Sequence, residues 1–340
     1  MINLNDIKPI FITGVYRSGT TLLSRILNNH PELDITYDSV HYMRFSYDKF
    51  NPICEHQNYS KLVNEIHERV SKRWKVNFDK DFVLYSIKNL KKIDYSYIYN
   101  IIMSNFLKIT STSWGEKTNM CWREIPHFLE MFPSGKTILI IRDPRDILIS
   151  YKNMTYEPGL RYLDSIFACL DSFHYVNYLQ KNASTKNFHL VKYEELVTNP
   201  DETIKKLTSF LEIDFDPLML DASKFSDKWN NPWEGNSSFD KSIQSISNKT
   251  IGRWKDKISR VDLFFLEIIL MEQMINFGYT PSGVFPNIDE WEKLFLIIND
   301  EFIKERFTNW LQTGKGHQLY PSDPILNAYR EMNLYDKNKS

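Results

Sequence analysis

The stretch from Pro9 to Pro31, PIFITGVYRSGTTLLSRILNNHP, joins an apolar run, a glycine-bounded turn and an amphipathic run without a break. Ile10 to Thr13 is too continuously apolar for a half-exposed edge strand, and Gly14 ends it where the chain must turn sharply. From Thr20 onward Leu22, Leu23, Ile26 and Leu27 recur at helical spacing, so Arg17, Ser18, Gly19, Thr20 and Thr21 occupy the loop and the first helical turn. The order is therefore strand, phosphate-type loop, helix, and the unpaired amides of that first turn make an anion site.

One residue is missing from the loop. Gly14 and Gly19 fit the G-x-x-x-x-G frame of a nucleotide triphosphatase, but Thr20 and Thr21 follow where that motif requires Lys and then Ser or Thr. The only cation on the turn is Arg17. A lysine with a magnesium ion suits the dense charge of a triphosphate, whereas a single guanidinium suits a group carrying less. Tyr16 to Thr21, YRSGTT, resembles the phosphosulfate loop of sulfotransferases that use 3'-phosphoadenosine 5'-phosphosulfate, PAPS.

At 340 residues the chain can bury a large core, and 42% hydrophobic content is ordinary for a globular protein. A net charge of -1 argues against a nucleic-acid partner or an anionic-membrane binder and confines anion binding to a local pocket. Cys54, Cys121 and Cys169 are far apart and odd in number, which points to free thiols rather than a disulfide framework or a zinc site. Met1 to Lys8 does not read as a signal peptide, and no run approaches the roughly 18 to 20 apolar residues of a membrane span, so a cytoplasmic protein is expected. A homodimer is compatible with this composition.

Farther along, Glu32 to Ser60 reads as a loop rich in aromatic residues, among them Tyr37, Tyr42, Phe45 and Tyr47. These either line a substrate cleft or pack beneath an irregular loop. Lys61 to Trp74 and Tyr95 to Ile109 carry helical patterns, making a helical substrate-side insert at about 35–112. A second strand-loop-helix unit follows, with a helix over Arg123 to Phe132, a stop at Pro133 to Gly135, a buried strand over Thr137 to Ile141 and a helix over Pro144 to Met154. Another strand begins near Phe188, and helices over Val261 to Phe277 and Asp289 to Leu311 fill a C-terminal extension at about 258–340. No linker divides the chain, so we expect a single α/β domain over 1–340. Its fold is a three-layer, P-loop-like one, with a central, mainly parallel sheet of four or five strands flanked by helices.

Arg142 ends its strand and Ser150 lies eight residues on, in the following helix. Alone, Arg142 reads as a surface ion pair with Asp143 or Asp146. Yet Arg-Asp-Pro-Arg-Asp with that serine resembles the second signature of the sulfotransferases, where the resemblance implies that Arg142 and Ser150 hold the 3'-phosphate of PAPS. The spacing resembles that of the tyrosylprotein sulfotransferases and related bacterial members: Lys117 lies 25 residues before Arg142, and Phe132-Pro133 falls where that family also has Phe-Pro. The same resemblance implies that Tyr193 approaches the adenine and that Ser238 and Arg253, 15 apart, close over the cofactor. It departs at Met154, four residues after Ser150, where the tyrosylprotein enzymes place a further Arg; Lys152 is the nearest substitute.

The implied chemistry is transfer of a sulfuryl group from PAPS, leaving PAP, to an acceptor hydroxyl or amine through a loose in-line transition state, by analogy with phosphoryl transfer. No metal is required. Arg17, the loop amides and Lys117 would stabilise charge on the leaving phosphate. The base is Asp38, eight residues after His30, where the tyrosylprotein family has its catalytic Glu; His41 is the rival, near an active-site His of glycan sulfotransferases. The bland readings are a solvated turn carboxylate for Asp38 and a satisfied loop histidine for His41. The acceptor, whether glycan, small metabolite, lipid or peptide, is left open. The alternatives are a P-loop-like kinase of a small molecule and a non-catalytic PAPS-binding protein; a metal-dependent hydrolase ranks last, because no H-e-x-x-H-like cluster is present.

Overall fold

Strand β1 (Ile10–Gly14) is buried at every residue because it lies in the middle of a five-stranded sheet, hydrogen-bonded on both sides. The computed structural model describes residues 8–74, 78–107, 113–153, 159–182, 186–225, 246–316 and Asn327. Along the chain from β1 come α1 (Thr20–Asn28), β2 (Asp34–Tyr37), α2 (Tyr42–Phe45), α3 (His56–Trp74), α4 (Lys80–Lys88), α5 (Tyr95–Leu107) and β3 (Trp114–Lys117). After them follow α6 (Ile125–Met131), β4 (Lys136–Ile141), α7 (Pro144–Lys152), α8 (Asp164–Asn182), β5 (Phe188–Lys192), α9 (Tyr193–Thr198) and α10 (Pro200–Leu211). Helices α11 (Arg260–Asn276), α12 (Ile288–Asn299) and α13 (Glu301–Thr313) close the described chain.

The strand order is β2-β3-β1-β4-β5, and all four pairings are parallel. Side chains alternate across the sheet as the two-residue period of a strand requires. Ile10, Ile12, Ile138 and Ile140 join Leu22, Leu23 and Ile26 of α1 in one core layer. Phe11, Leu139 and Ile141 join Tyr99, Trp114, Phe128 and Phe167 in the other. The chain leaves β1 toward β3 on one side and later adds β4 on the other, so the carboxyl ends of β1, β3 and β4 flank a crossover crevice, where ligands of open parallel sheets bind.

The α/β fold with its parallel sheet is as expected from the sequence, but three local readings change. Residues 32–60 are not one loop: β2 lies within them, pairing Asp34 with Trp114 and Ile35 with Gly115, and α3 already starts at His56. β2 hides because it is a short edge strand with a charged first residue, and α3 opens on a polar turn that carries no apolar period. The 35–112 segment therefore contributes a sheet strand as well as helices. Strand β3, WGEK, is absent from the sequence reading because Glu116 and Lys117 look solvated, yet both are fully buried. Finally, Asp289 to Leu311 is two helices, broken at Asp300, whose carboxylate caps α13 by accepting from Phe302 N at 3.0 Å.

Candidate active site

The loop after β1 is shaped by two consecutive demands on the backbone. Arg17 and Gly19 both take left-handed conformations, with φ of 73° and 101°. Ser18 turns back on Val15, its N–H and Oγ both donating to the Val15 carbonyl, at 3.1 and 2.7 Å. A Cβ at Gly19 would lie 2.3 Å from the Tyr193 ring, so only glycine lets the loop pass between α1 and α9. Gly19 also caps α1 without a side-chain hydrogen bond, which leaves the amides of the Thr20 and Thr21 turn pointing at whatever lies beyond the helix.

Beyond it lies a cavity of about 250 Å³, walled by Tyr16, Arg17, Gly19 and the first turn of α1. Three guanidiniums converge on it from separate elements: Arg17 from the loop, Arg142 from the end of β4, and Arg253 from the segment before α11. Arg17 Nε donates to Ser150 Oγ at 2.8 Å. Arg142 donates to the Arg17 carbonyl at 3.1 Å and the Thr250 carbonyl at 2.6 Å, and its guanidinium carbon sits 4.3 Å from the centre of the Tyr193 ring. Its Nε is buried and makes no hydrogen bond among the described residues. Asp143 is not its partner, because that carboxylate binds Arg145 at 2.7 Å. Asp146 is 3.9 Å away and instead accepts the Gly252 and Trp254 amides at 2.7 and 3.0 Å, which ties the segment carrying Thr250 and Arg253 to α7.

The electrostatic state of this wall follows from those positions. Burial, then the neighbouring charges of Arg142 and Arg253, lower the Arg17 pKa to about 10. The three cations repel one another, and an anion placed among them would relieve that repulsion.

The opposite wall is built from the ends of β2 and β3. The Asp38 N–H donates to the Lys117 carbonyl at 3.0 Å, continuing the strand pairing, and Asp38 then turns with a φ of 47°. That turn brings its carboxylate onto the Lys117 ammonium in an ion pair, with the lysine fully buried and the aspartate side chain 22% exposed toward the cavity. Asn119 stands 3.5 Å from the other carboxylate oxygen and accepts a 2.7 Å hydrogen bond from the Thr20 hydroxyl, so the two walls meet at this residue. Tyr16 closes the side: its phenol accepts from Arg44 at 2.7 Å, and burial pushes its pKa up, which keeps it neutral.

Of the residues expected from the sequence, Arg17, Gly19, Thr20, Thr21, Asp38, Arg142, Ser150, Tyr193 and Arg253 line this one cavity, with Lys117 directly behind Asp38 and Ser18 inside the loop. His41 does not line it. Its ring is buried 5.5 Å from the Phe45 ring, and its N–H donates to Glu116 at 2.5 Å as α2 begins. Lys152 is engaged elsewhere, pairing with Asp262 at 2.9 Å over the Tyr162 ring, so it does not stand in for the missing arginine. Ser238 and Met154 lie outside the described residues. Asn119 and Thr250 are cavity residues that the sequence reading missed, and Tyr16 was read only as part of the loop motif. Asn119 was within reach, two positions past Lys117 at the end of a strand, had β3 been recognised.

Among the described residues no group of His, Cys, Asp and Glu is placed to hold a metal ion, and no helix is long and apolar enough to cross a membrane. The model of the sulfotransferase family matches residues 9–217. Protein-tyrosine sulfotransferase A of Caenorhabditis elegans is 22% identical over 297 residues, covering 84% of this chain and 70% of the relative. Protein-tyrosine sulfotransferase 1 of Danio rerio is 24% identical over 303 residues, covering 86% of this chain and 78% of its own length. Among solved structures, the sulfotransferase domain from the curacin biosynthetic pathway superposes with a TM-score of 0.54 at 16% identity, covering 81% of this chain and 98% of that one, a likeness of fold.

Proposed function

This chain belongs to the sulfotransferase family, and we propose that its cavity binds PAPS and that Asp38 takes the proton of an acceptor hydroxyl or amine as the sulfuryl group is transferred. The observation that carries the reading is the convergence of Arg17, Arg142 and Arg253 on one cavity whose far wall is the Asp38–Lys117 ion pair. The amides at the start of α1 and the guanidiniums on the cavity wall are donors that a nucleotide anionic at both ends would satisfy. When bound, PAPS supplies a sulfuryl group activated by its anhydride link to the 5'-phosphate.

The residues divide the work. The α1 amides and Arg17 hold the 5'-phosphate end, with Ser18 shaping the loop behind them, Arg142, Ser150 and Arg253 hold the 3'-phosphate, and Tyr193 contacts the adenine. Arg17 and Lys117 supply positive charge where the leaving phosphate gains negative charge; a positioned donor of this kind contributes roughly 2.7 to 4 kcal/mol. Lys117 and Asn119 fix the position of the Asp38 carboxylate, so the acceptor proton has a defined destination. Its side chain is one methylene shorter than the glutamate of the tyrosylprotein enzymes, which draws the acceptor closer to the end of β2. The direct test is incubation with sulfur-labelled PAPS and a fractionated extract. Label on an acceptor supports the reading, and ATP-dependent phosphorylation without any label transfer refutes it.

A further inference from the structure

A second cavity, about 500 Å³, opens beside the first where α8, α13 and the turn before α6 meet. The two share a peptide link: Asn119 lines the first and Met120 the second. Met120 is held between them in a left-handed conformation, φ 64°, by the 3.0 Å hydrogen bond from its N–H to the Gly14 carbonyl. The second cavity thus begins one residue from the acceptor wall.

Its electrostatics differ in kind from the first. Arg123 and Lys315 are balanced by Asp171 and Glu124, and His127 pairs with Glu124 at 3.0 Å. Asp171 is fully engaged, accepting from Arg123 at 2.6 Å, Trp122 Nε1 at 3.3 Å and the Gly316 amide at 3.1 Å. Donors are nonetheless left over. Arg123 uses Nε and one terminal nitrogen, on Asp171 and the Gly314 carbonyl, and its other terminal nitrogen makes no hydrogen bond among the described residues; neither does His127 Nε2. Beside them stands the partly exposed Tyr175 ring, one face of which lies under the Arg123 guanidinium, 5.1 Å from the ring centre, and which is continued by the half-exposed Tyr178 ring 5.3 Å away. A charge-balanced cavity with spare planar donors next to an aromatic ledge suits a ligand with many hydroxyls and apolar C–H faces, and disfavours a polyanion or a lipid tail.

We propose that this cavity holds an uncharged carbohydrate portion of the acceptor, making the chain a sulfotransferase of a sugar-bearing compound. The inference rests on the PAPS reading above. In the step it completes, a sugar hydroxyl oxygen bonds to sulfur, the bond from sulfur to the 5'-phosphate oxygen breaks, the hydroxyl proton goes to Asp38, and PAP departs with the electron pair.

The experiment uses the full chain on an array of immobilised neutral glycans with sulfur-labelled PAPS, beside calorimetry with PAP. Glycans that take label are then assayed in solution with Tyr175→Ala, Tyr175→Phe and, because Asn309 of α13 also lines the cavity, Asn309→Ala. The expected result is label on neutral glycans. Tyr175→Ala should raise KM for the glycan about tenfold and Asn309→Ala several-fold, with kcat and PAP affinity unchanged, while Tyr175→Phe stays near wild type. The inference is overturned if PAP binds and label goes only to sugar-free peptides or lipids, or if glycan KM is the same in Tyr175→Ala. Failure of PAP to bind at all would instead remove the donor reading on which it stands.

Discussion

The two walls of the active-site cavity hold their charges in opposite ways. The donor wall gathers Arg17, Arg142 and Arg253 around one carboxylate that stands 3.9 Å off and is occupied with backbone amides. The acceptor wall has one cation and one carboxylate, Lys117 and Asp38, in direct contact. The first gathers like charges whose repulsion a bound anion would relieve, whereas in the second the opposite charges already meet in a pair. Substitutions on the donor wall should therefore change affinity, and those on the acceptor wall should change rate.

The largest expected effect is on rate. Asp38→Asn should slow single turnover at saturating PAPS by about 10² to 10⁴-fold while PAP affinity stays within about twofold. A large loss of PAP affinity in this variant would erase the distinction between the walls. Next comes Gly19→Ala. Its Cβ must push Tyr193 aside while the backbone holds a φ of 101°, a strain of roughly 1 to 3 kcal/mol that weakens PAP about 5- to 150-fold in calorimetry. Tyr193→Phe keeps the ring against Arg142 and loses only the 2.6 Å hydrogen bond with Thr250, so PAP affinity should fall by about 0.5 to 1.5 kcal/mol, with the rate at saturation unchanged. The smallest effect is expected at His41. Because its ring lies off the cavity wall, His41→Gln should keep a single-turnover rate within about threefold of wild type, and an inactive but folded variant would move the base from Asp38 to His41.

The donor wall was the more legible of the two because Arg17 and Arg142 each sit in a short contiguous motif, although Thr250 was missed and Arg253 came only from the family resemblance. Tyr16 to Thr21 carries its own glycine and its own cation, and Arg142 and Ser150 are one strand end and two helical turns apart, so local spacing alone brings them to the crevice. The acceptor wall gathers single residues from the ends of two strands, β2 and β3, that no local pattern announces. Glu116 and Lys117 look like solvent-facing charges in sequence. They are buried because Tyr99, the His41 amide and Asp38 satisfy them, all partners distant along the chain. Lys117 and Asp38 were found through family spacing, and Asn119, with no such spacing to mark it, was not. The break at Asp300 was missed for a different reason, since a capping aspartate between two apolar periods reads as one more polar position on a continuous helix.

Calorimetry of PAP and adenosine 5'-monophosphate against wild type and Arg142→Ala tests the central claim most directly. The two ligands differ only in the 3'-phosphate that Arg142 is proposed to hold. A charge-assisted hydrogen bond of about 1.5 to 3 kcal/mol corresponds to roughly 10- to 150-fold in affinity. Wild type should prefer PAP by at least tenfold and Arg142→Ala should lose most of that preference, Ser150 and Arg253 keeping the remainder; a variant that keeps the full wild-type preference would contradict the assignment.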